Sequence, residues 1–259
     1  MNIIIGDIGN TITKICLVES KNYKIKKIVF FNSNKIYSKK NLTSIFKKII
    51  KNKKIYKIAL FSSVVPKYQL LIKSFLKRKF NISLKEIKDK KIKKIVKINI
   101  KNKNQVGSDR IANAVGVYKK YKNNSIVIDF GTATTFDVIN KNGVYNGGVI
   151  APGINLSIKS LSVAADQIPL FLIKKQKKTI GKNTIEALRS GFYWGYLGLI
   201  NNIILMIQRE TKKKYKIIFT GGYANLFKTS IIRPFTVDRN ITIEGIIEIF
   251  KENKKYLIK

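Results

Sequence analysis

Asp7-Ile8-Gly9-Asn10-Thr11 and Asp129-Phe130-Gly131-Thr132-Ala133 are two short glycine-containing turns, each set between apolar runs. Residues 2–6 are apolar and Thr13 to Val18 alternates on the far side of the first turn. Ser125 to Ile128 is apolar, and Thr135 to Ile139 resumes a strand pattern beyond the second. Both segments therefore read as β-hairpins. Either turn alone would pass for an ordinary hairpin, because Asp and Gly favour such positions. Their recurrence about half a chain apart makes a duplicated domain the simplest account.

The segments around the hairpins alternate between helical and extended patterns. Asn41 can cap a helix that places Leu42, Ile45, Phe46, Ile49 and Ile50 on one face. A strand follows at Ile58 to Phe61, and Pro66 opens a second helix with Tyr68, Leu71, Ile72, Phe75 and Leu76 inward. The lysine-rich stretch from Lys85 to Lys103 has no clear period and reads as a strand with exposed loops. A third helix, Asp109 to about Tyr121, is expected to bury Ile111, Ala114, Val115 and Tyr118. Beyond the second hairpin, Gly147 to Gly153 forms a strand and turn, leading into a helix through Ala165. A long helix from Thr184 to about Lys212, a strand Tyr215 to Phe219 and a last helix from Thr242 complete the pattern. This is an α/β chain with mixed sheets. A length of 259 residues suits two domains. The boundary is expected near 120/121, with the last helix able to pack back on the first domain.

Composition narrows the chemistry. The chain has one cysteine, Cys16, and no histidine, which excludes a disulfide framework, histidine acid/base work and a Cys/His zinc site. Carboxylates, hydroxyls, backbone groups and cations must do the work. The richest apolar stretch, Tyr196 to Ile207, is interrupted by Asn201 and Asn202 and is shorter than a bilayer span. With no basic leader or cleavage site at its start, a soluble cytoplasmic protein is expected, with no membrane partner. The net charge of +38 would ordinarily suggest nucleic acid. However, 46 of the 52 basic residues are Lys, spread through nearly every polar segment, whereas groove readers lean on Arg forks. The charge reads as solvated faces, and no specific nucleic-acid partner is expected.

Three of the seven Asp residues, Asp7, Asp109 and Asp129, sit beside glycine turns. A glycine-tipped hairpin lets successive N–H groups face an anion, because no side chain blocks the approach. The neighbouring Asp cannot favourably hold phosphate, so its useful role is to hold a cation that bridges to the phosphate oxygens. Thr11 and Thr132 add hydroxyls. Thr220-Gly221-Gly222 ends a strand where backbone could pass under a base or sugar, or could form a plain turn. Asp109 could simply cap its helix. Alternatively, it could take a proton from a substrate hydroxyl while Arg110 grips an anionic substrate.

Six elements now stand in order along nearly the whole chain: Asp7 to Thr11, Ser63-Val64-Val65-Pro66, Gly107-Ser108-Asp109-Arg110, Asp129 to Thr132, Gly148 to Gly153, and Thr220 to Gly222. The series resembles that of type III pantothenate kinases. The resemblance implies two RNase H-like domains of the acetate and sugar kinase, heat-shock chaperone and actin superfamily, with an active-site cleft between them and a homodimeric assembly. It implies ATP-dependent phosphorylation of pantothenate to 4′-phosphopantothenate, the first step toward coenzyme A. The loop Gly6, Asp7, Ile8, Gly9, Asn10, Thr11, Ile12 and Thr13 would then bind ATP phosphates, and Thr132 would contact ATP. Asp109 would accept the proton, and Gly107, Ser108, Asp109 and Arg110 would bind pantothenate. Asp129 would hold the activating potassium or ammonium ion, and Asp7 would serve Mg2+. Thr184 matches a substrate contact that reaches across the dimer, its local alternative being a helix cap. Ile100 stands where the family has a substrate-contacting Tyr, and Lys103 stands near a common Pro. Two rivals remain open at this point: another small-molecule kinase of the superfamily, and a nucleotide-binding regulator that transfers nothing.

Overall fold

The computed structural model describes residues 1–228 and 234–258. The chain forms two compact units, one of Met1–Tyr121 together with the segment from Asn240 onward, the other of Lys122–Arg239.

In the first unit, β1 (Asn2–Ile8) and β2 (Ile12–Glu19) form the first hairpin, and β3 (Ile25–Asn32) adds antiparallel to β2. A 3-10 turn and helix α1 (Lys39–Ile50) lead to β4 (Ile55–Ser63), which runs parallel to β1. Helix α2 (Pro66–Phe80) leads to β5 (Ser83–Glu86), parallel to β4, giving the order β3-β2-β1-β4-β5. Pro66 occupies the first turn of α2, where its missing N–H costs nothing. Ser38, not Asn41, caps α1, since its side chain accepts from the Asn41 N–H. Two polar residues three apart leave the sequence ambiguous there.

One sheet face buries Ile4, Ile8, Ile15, Leu17 and Phe61 against Phe46 of α1 and Ile72, Phe75 and Leu76 of α2. After the two-residue β6 (Lys97–Ile98), α3 (Ser108–Tyr121) packs with the last long helix, α6 (Ile241–Glu252), which the short α7 (Lys254–Leu257) follows. Their close crossing depends on glycine: a Cβ on Gly245 would stand 1.8 Å from the Ala112 carbonyl oxygen, and one on Gly116 would stand 2.4 Å from that of Ile241. The chain end from Asn240, placed by sequence within 121–259, thus belongs to the first unit. Residues 112–117 of α3 are buried without a break, while Ile111 and Tyr118 are only half-buried. Packing against both α6 and β4 explains why a one-face pattern failed there.

The second unit repeats the plan. Strands β7 (Ser125–Phe130) and β8 (Ala133–Ile139) form the second hairpin, and β9 (Val144–Pro152) adds antiparallel to β8. Helices α4 (Ile154–Ala164) and α5 (Thr184–Thr211) precede β10 (Lys216–Gly221) and β11 (Phe235–Val237), and the order β11-β10-β7-β8-β9 mirrors the first sheet. Strand β10 is parallel to both β7 and β11. The core joins Ile126, Ile128 and Phe130 of β7 to Tyr193, Ile200 and Ile204 of α5. At 28 residues α5 is long and apolar enough to cross a membrane, unlike the shorter run marked in the sequence. Its buried face from Ser190 to Ile207 instead covers the sheet of this unit.

Candidate functional site

The first hairpin tip is held open by Ser33. The Gly9 N–H donates to the Ile12 carbonyl at 3.1 Å, and the Ser33 hydroxyl donates to the Gly9 carbonyl at 2.7 Å. The Ser33 N–H donates to the Thr11 carbonyl, and its Oγ lies 2.8 Å from Thr13 Oγ1. Asp7 is within β1, paired with Lys14, rather than in the turn itself, and is almost fully buried. Of the eight residues expected around ATP phosphates, Asn10, Thr11 and Ile12 are exposed and Gly9 is half-buried, whereas Gly6, Asp7, Ile8 and Thr13 are buried. Gly6 has a packing duty, since a Cβ there would sit 2.3 Å from the Phe61 ring.

Beside this tip, the Val64 N–H donates to the Ile8 carbonyl at 3.1 Å, so Ser63 to Pro66 continues the same edge into α2. Gly107 faces Val64: a Cβ on Gly107 would meet Val64 Cγ1 at 3.6 Å and Asp109 Oδ1 at 2.5 Å. Asp109 and Arg110 are half-exposed in the first turn of α3, and Asp109 Oδ1 accepts from the Arg110 N–H at 2.8 Å. The first hairpin and the acceptor motif therefore share one edge of one unit, at the carboxyl ends of β1 and β4, where open α/β sheets bind ligands. Ser108 is 3% exposed, and its hydroxyl faces Glu86. Ile100 is half-buried and Lys103 is exposed.

The second unit gathers its own glycine-rich group. The Gly131 N–H donates to the Ala133 carbonyl, leaving Gly131 and Thr132 exposed at the tip. Asp129 lies in β7, between Thr135 on β8 and Thr220 on β10. The Thr220 hydroxyl is buried with no hydrogen-bond partner among the described residues. Gly221 has φ +85°, and a Cβ there would stand 2.6 Å from Asp129 Oδ1 and from the Phe130 N and O. Gly153 lets the start of α4 meet the tip, for its Cβ would lie 2.2 Å from the Thr132 carbonyl. Among the described residues no three acidic or thiol groups cluster for a metal.

Thr184 is the exposed first residue of α5. The cap is Asn183, whose side chain accepts from the Glu186 N–H at 2.9 Å, while Glu186 accepts from the Lys182 N–H at 2.8 Å. Thr184 lines a groove of about 980 Å³ with Gly181, Leu188, Phe192 and Tyr196. Cys16 is buried, and burial pushes its thiol up to about 12, which removes it from the chemistry.

Sequence patterns alone did not single out Ser33, Glu86 or Gly153 for these roles. Ser33 acts 24 positions from its partner Gly9, so no local period marks it. Gly153 stood in a quoted motif, but its reason is visible only against Thr132.

A family model for type III pantothenate kinase matches residues 3–206. A type III pantothenate kinase of Pelagibacter ubique is 50% identical over 95% of this chain and 97% of its own length. Among solved structures, a conserved Campylobacter jejuni protein assigned to the Baf family of transcriptional activators superposes with TM-score 0.62 at 23% identity, covering 97% of this chain and 99% of its own. An archaeal actin homologue superposes with TM-score 0.53 at 13% identity, over 97% and 100% of the two chains. At those identities the superpositions establish an actin-like fold, which agrees with the repeated sheet. The family match and the half-identical relative reach further than the fold and place this chain in the type III pantothenate kinase family.

Proposed function

We propose that this protein transfers the γ-phosphoryl group of ATP to the primary hydroxyl of pantothenate, giving 4′-phosphopantothenate and ADP on the route to coenzyme A. The observation that carries this reading is Asp109 beside Arg110, both half-exposed at the head of α3, next to a glycine-tipped hairpin in a chain of this family. In the transfer the acceptor oxygen bonds to Pγ, the bond from Pγ to the bridging oxygen breaks, and ADP leaves. Asp109 takes the hydroxyl proton, and Arg110 pairs with the pantothenate carboxylate. Protein catalysis of phosphoryl transfer is mostly positioning and charge neutralisation. The exposed residues 10–12 suit the phosphate chain, and Ser108 offers its N–H rather than its inward hydroxyl; Thr132, exposed at the tip of its own hairpin, is taken as a further ATP contact.

Asp7 fits Mg2+ held largely through water, which needs only one or two protein carboxylates. When bound, Mg2+ would neutralise charge building on the phosphate oxygens. Asp129 with the Thr220 hydroxyl, which has no partner among the described residues, fits a monovalent cation, potassium or ammonium, on an oxygen donor set. A homodimer is supported by the apolar surface that the second unit leaves exposed, including Leu156, Val163, Leu170, Leu172 and Ile180. Thr184 then serves the acceptor site of the partner subunit, and a cytoplasmic setting supplies both substrates.

The test is ADP release measured with and without pantothenate. Release that appears only with pantothenate supports the assignment, whereas equal rates with and without it, or release driven by acetate or a sugar instead, would sink it.

A further inference from the structure

Lys88 lies in the turn after β5, outside every motif quoted above, yet its ammonium is committed to the chain ahead of Gly107. Its Nζ donates to the Asn104 and Val106 carbonyls, each at 3.0 Å. These carbonyls lie three positions and one position ahead of Gly107-Ser108-Asp109-Arg110. The turn that carries Lys88 is itself anchored three ways. The Ile87 N–H donates to the Phe61 carbonyl at 3.0 Å, extending the sheet by one bond. The Lys88 N–H donates to Glu86 Oε2 at 2.6 Å, and the Glu86 N–H donates to Asp89 Oδ2 at 3.3 Å. Glu86 is 8% exposed, and Ser108, on the far side of Gly107, turns its hydroxyl toward it. One turn of three residues thus holds the chain on both sides of Gly107.

In the segment it restrains, residues 99–106, Val106 is buried, and the other residues are exposed or half-buried. Residues 99–106 contain one short 3-10 turn, Lys103–Gln105, with no buried side chain in it. Asn102 accepts from the Asn104 N–H and ties that turn only to itself. A charge-assisted bond to two carbonyls at once is a strong local restraint. Gly107 itself leaves room for Asp109, since a Cβ there would stand 2.5 Å from Asp109 Oδ1.

We propose that Lys88 is a positioning residue for the acceptor site: its ammonium clamps the Asn104 and Val106 carbonyls so that Gly107–Arg110 presents Asp109 and Arg110 in register to the pantothenate hydroxyl and carboxylate. The inference rests on the reading of that motif as the acceptor site. Lys88 touches neither substrate, and its action passes through the loop.

The experiment compares wild type, Lys88→Met and Lys88→Arg, with ATP and pantothenate varied separately and melting temperature recorded for each. Met keeps the stem and loses the donors, and Arg keeps the donors. Lys88→Met is expected to lose roughly ten- to a hundredfold in kcat/KM for pantothenate, the scale of a slight misplacement of reacting groups. The KM for ATP and the melting temperature should stay near wild type, and Lys88→Arg should recover most of the loss. Wild-type pantothenate kinetics in Lys88→Met would overturn the proposal. So would an equal loss toward both substrates, or a failure of Arg to restore activity. A wild-type chain without pantothenate-dependent ADP release overturns the acceptor reading itself and the inference with it, which separates the two failures.

Discussion

Asp109 is the residue on which the proposed chemistry turns, and its neighbour Glu86 shows how differently two carboxylates can be used in one corner. Asp109 is half-exposed beside Arg110, as a proton acceptor must be. Replacing it with Asn keeps shape and polarity but removes the base. Turnover should fall about 10²- to 10⁴-fold, while ATP still binds with near-normal affinity in calorimetry; a kcat within a few-fold of wild type would dismiss the assignment. Glu86 is buried, and its carboxyl is pushed above the usual range first by that burial, with Asp89 adding to the rise. The Ser108 hydroxyl and the N–H groups of Lys88 and Ser63 pull the other way. A carboxyl that holds its proton more tightly when folded stabilises the fold in acid. That contribution is lost as pH rises through the folded value. Glu86→Gln removes the titration while keeping an acceptor for the Lys88 N–H. Its melting temperature should therefore gain on wild type as pH climbs out of the carboxylate range, and the gain should shrink in acid. Parallel melting curves across that window would show that burial of this charge costs the fold nothing.

Among the elements, the two hairpins were legible because each combines a period-2 apolar run with a glycine, and sheet register then follows from the face that must be buried. The long helix α5 was legible to within a residue of its end, because its apolar residues run on past Asn201 and Asn202, whereas its cap proved to be Asn183 and not Thr184. What the patterns misplaced were features set by distant partners. Asp7 and Asp129 read as turn residues, yet each is the last polar position of a strand, since parallel neighbours β4 and β10 carry the ladder past them. The turn of residues 86–88 was hidden in a lysine-rich stretch because the carbonyls that Lys88 reaches lie 16 and 18 positions away. Gly221 shows the same dependence in the second unit. Its backbone is left-handed and its missing Cβ makes room for Asp129 and Phe130. Gly221→Ala should cost roughly 1–3 kcal/mol from backbone strain alone, and, if Asp129 holds the proposed monovalent cation, the crowding of its Oδ1 should add a loss of activation by potassium. Urea denaturation checks the first effect and a potassium titration of rate checks the second. A variant as stable and as potassium-responsive as wild type would mean the glycine is incidental.

For the whole molecule, the proposed self-association and the net charge pull in opposite directions. Gly191, Gly195 and Gly198 lie on α5, and a Cβ on any of them would meet nothing within 4 Å. Each glycine inside a helix costs about 1 kcal/mol against Ala, and no contact of an added Cβ among the described residues accounts for it. A second copy lying close along α5 would. Gly195→Glu should therefore raise the helix propensity of the chain and, if the chain forms the proposed dimer along α5, abolish it, giving a particle of 29.6 kDa by ultracentrifugation instead of twice that mass. If Thr184 serves the partner's acceptor site, the same variant loses pantothenate affinity and keeps ATP affinity. Two chains of +38 also repel one another. Screening over a Debye length weakens that repulsion, so raising salt from about 0.05 M to about 0.3 M should tighten the wild-type dimer. Nucleic-acid binding by the same surface would weaken over that range, because its affinity comes from released counterions. Sedimentation across a salt series thus reads both questions at once: a dimer that loosens with salt would place attraction between charges, not burial of the apolar face of the second unit, at the centre of the assembly.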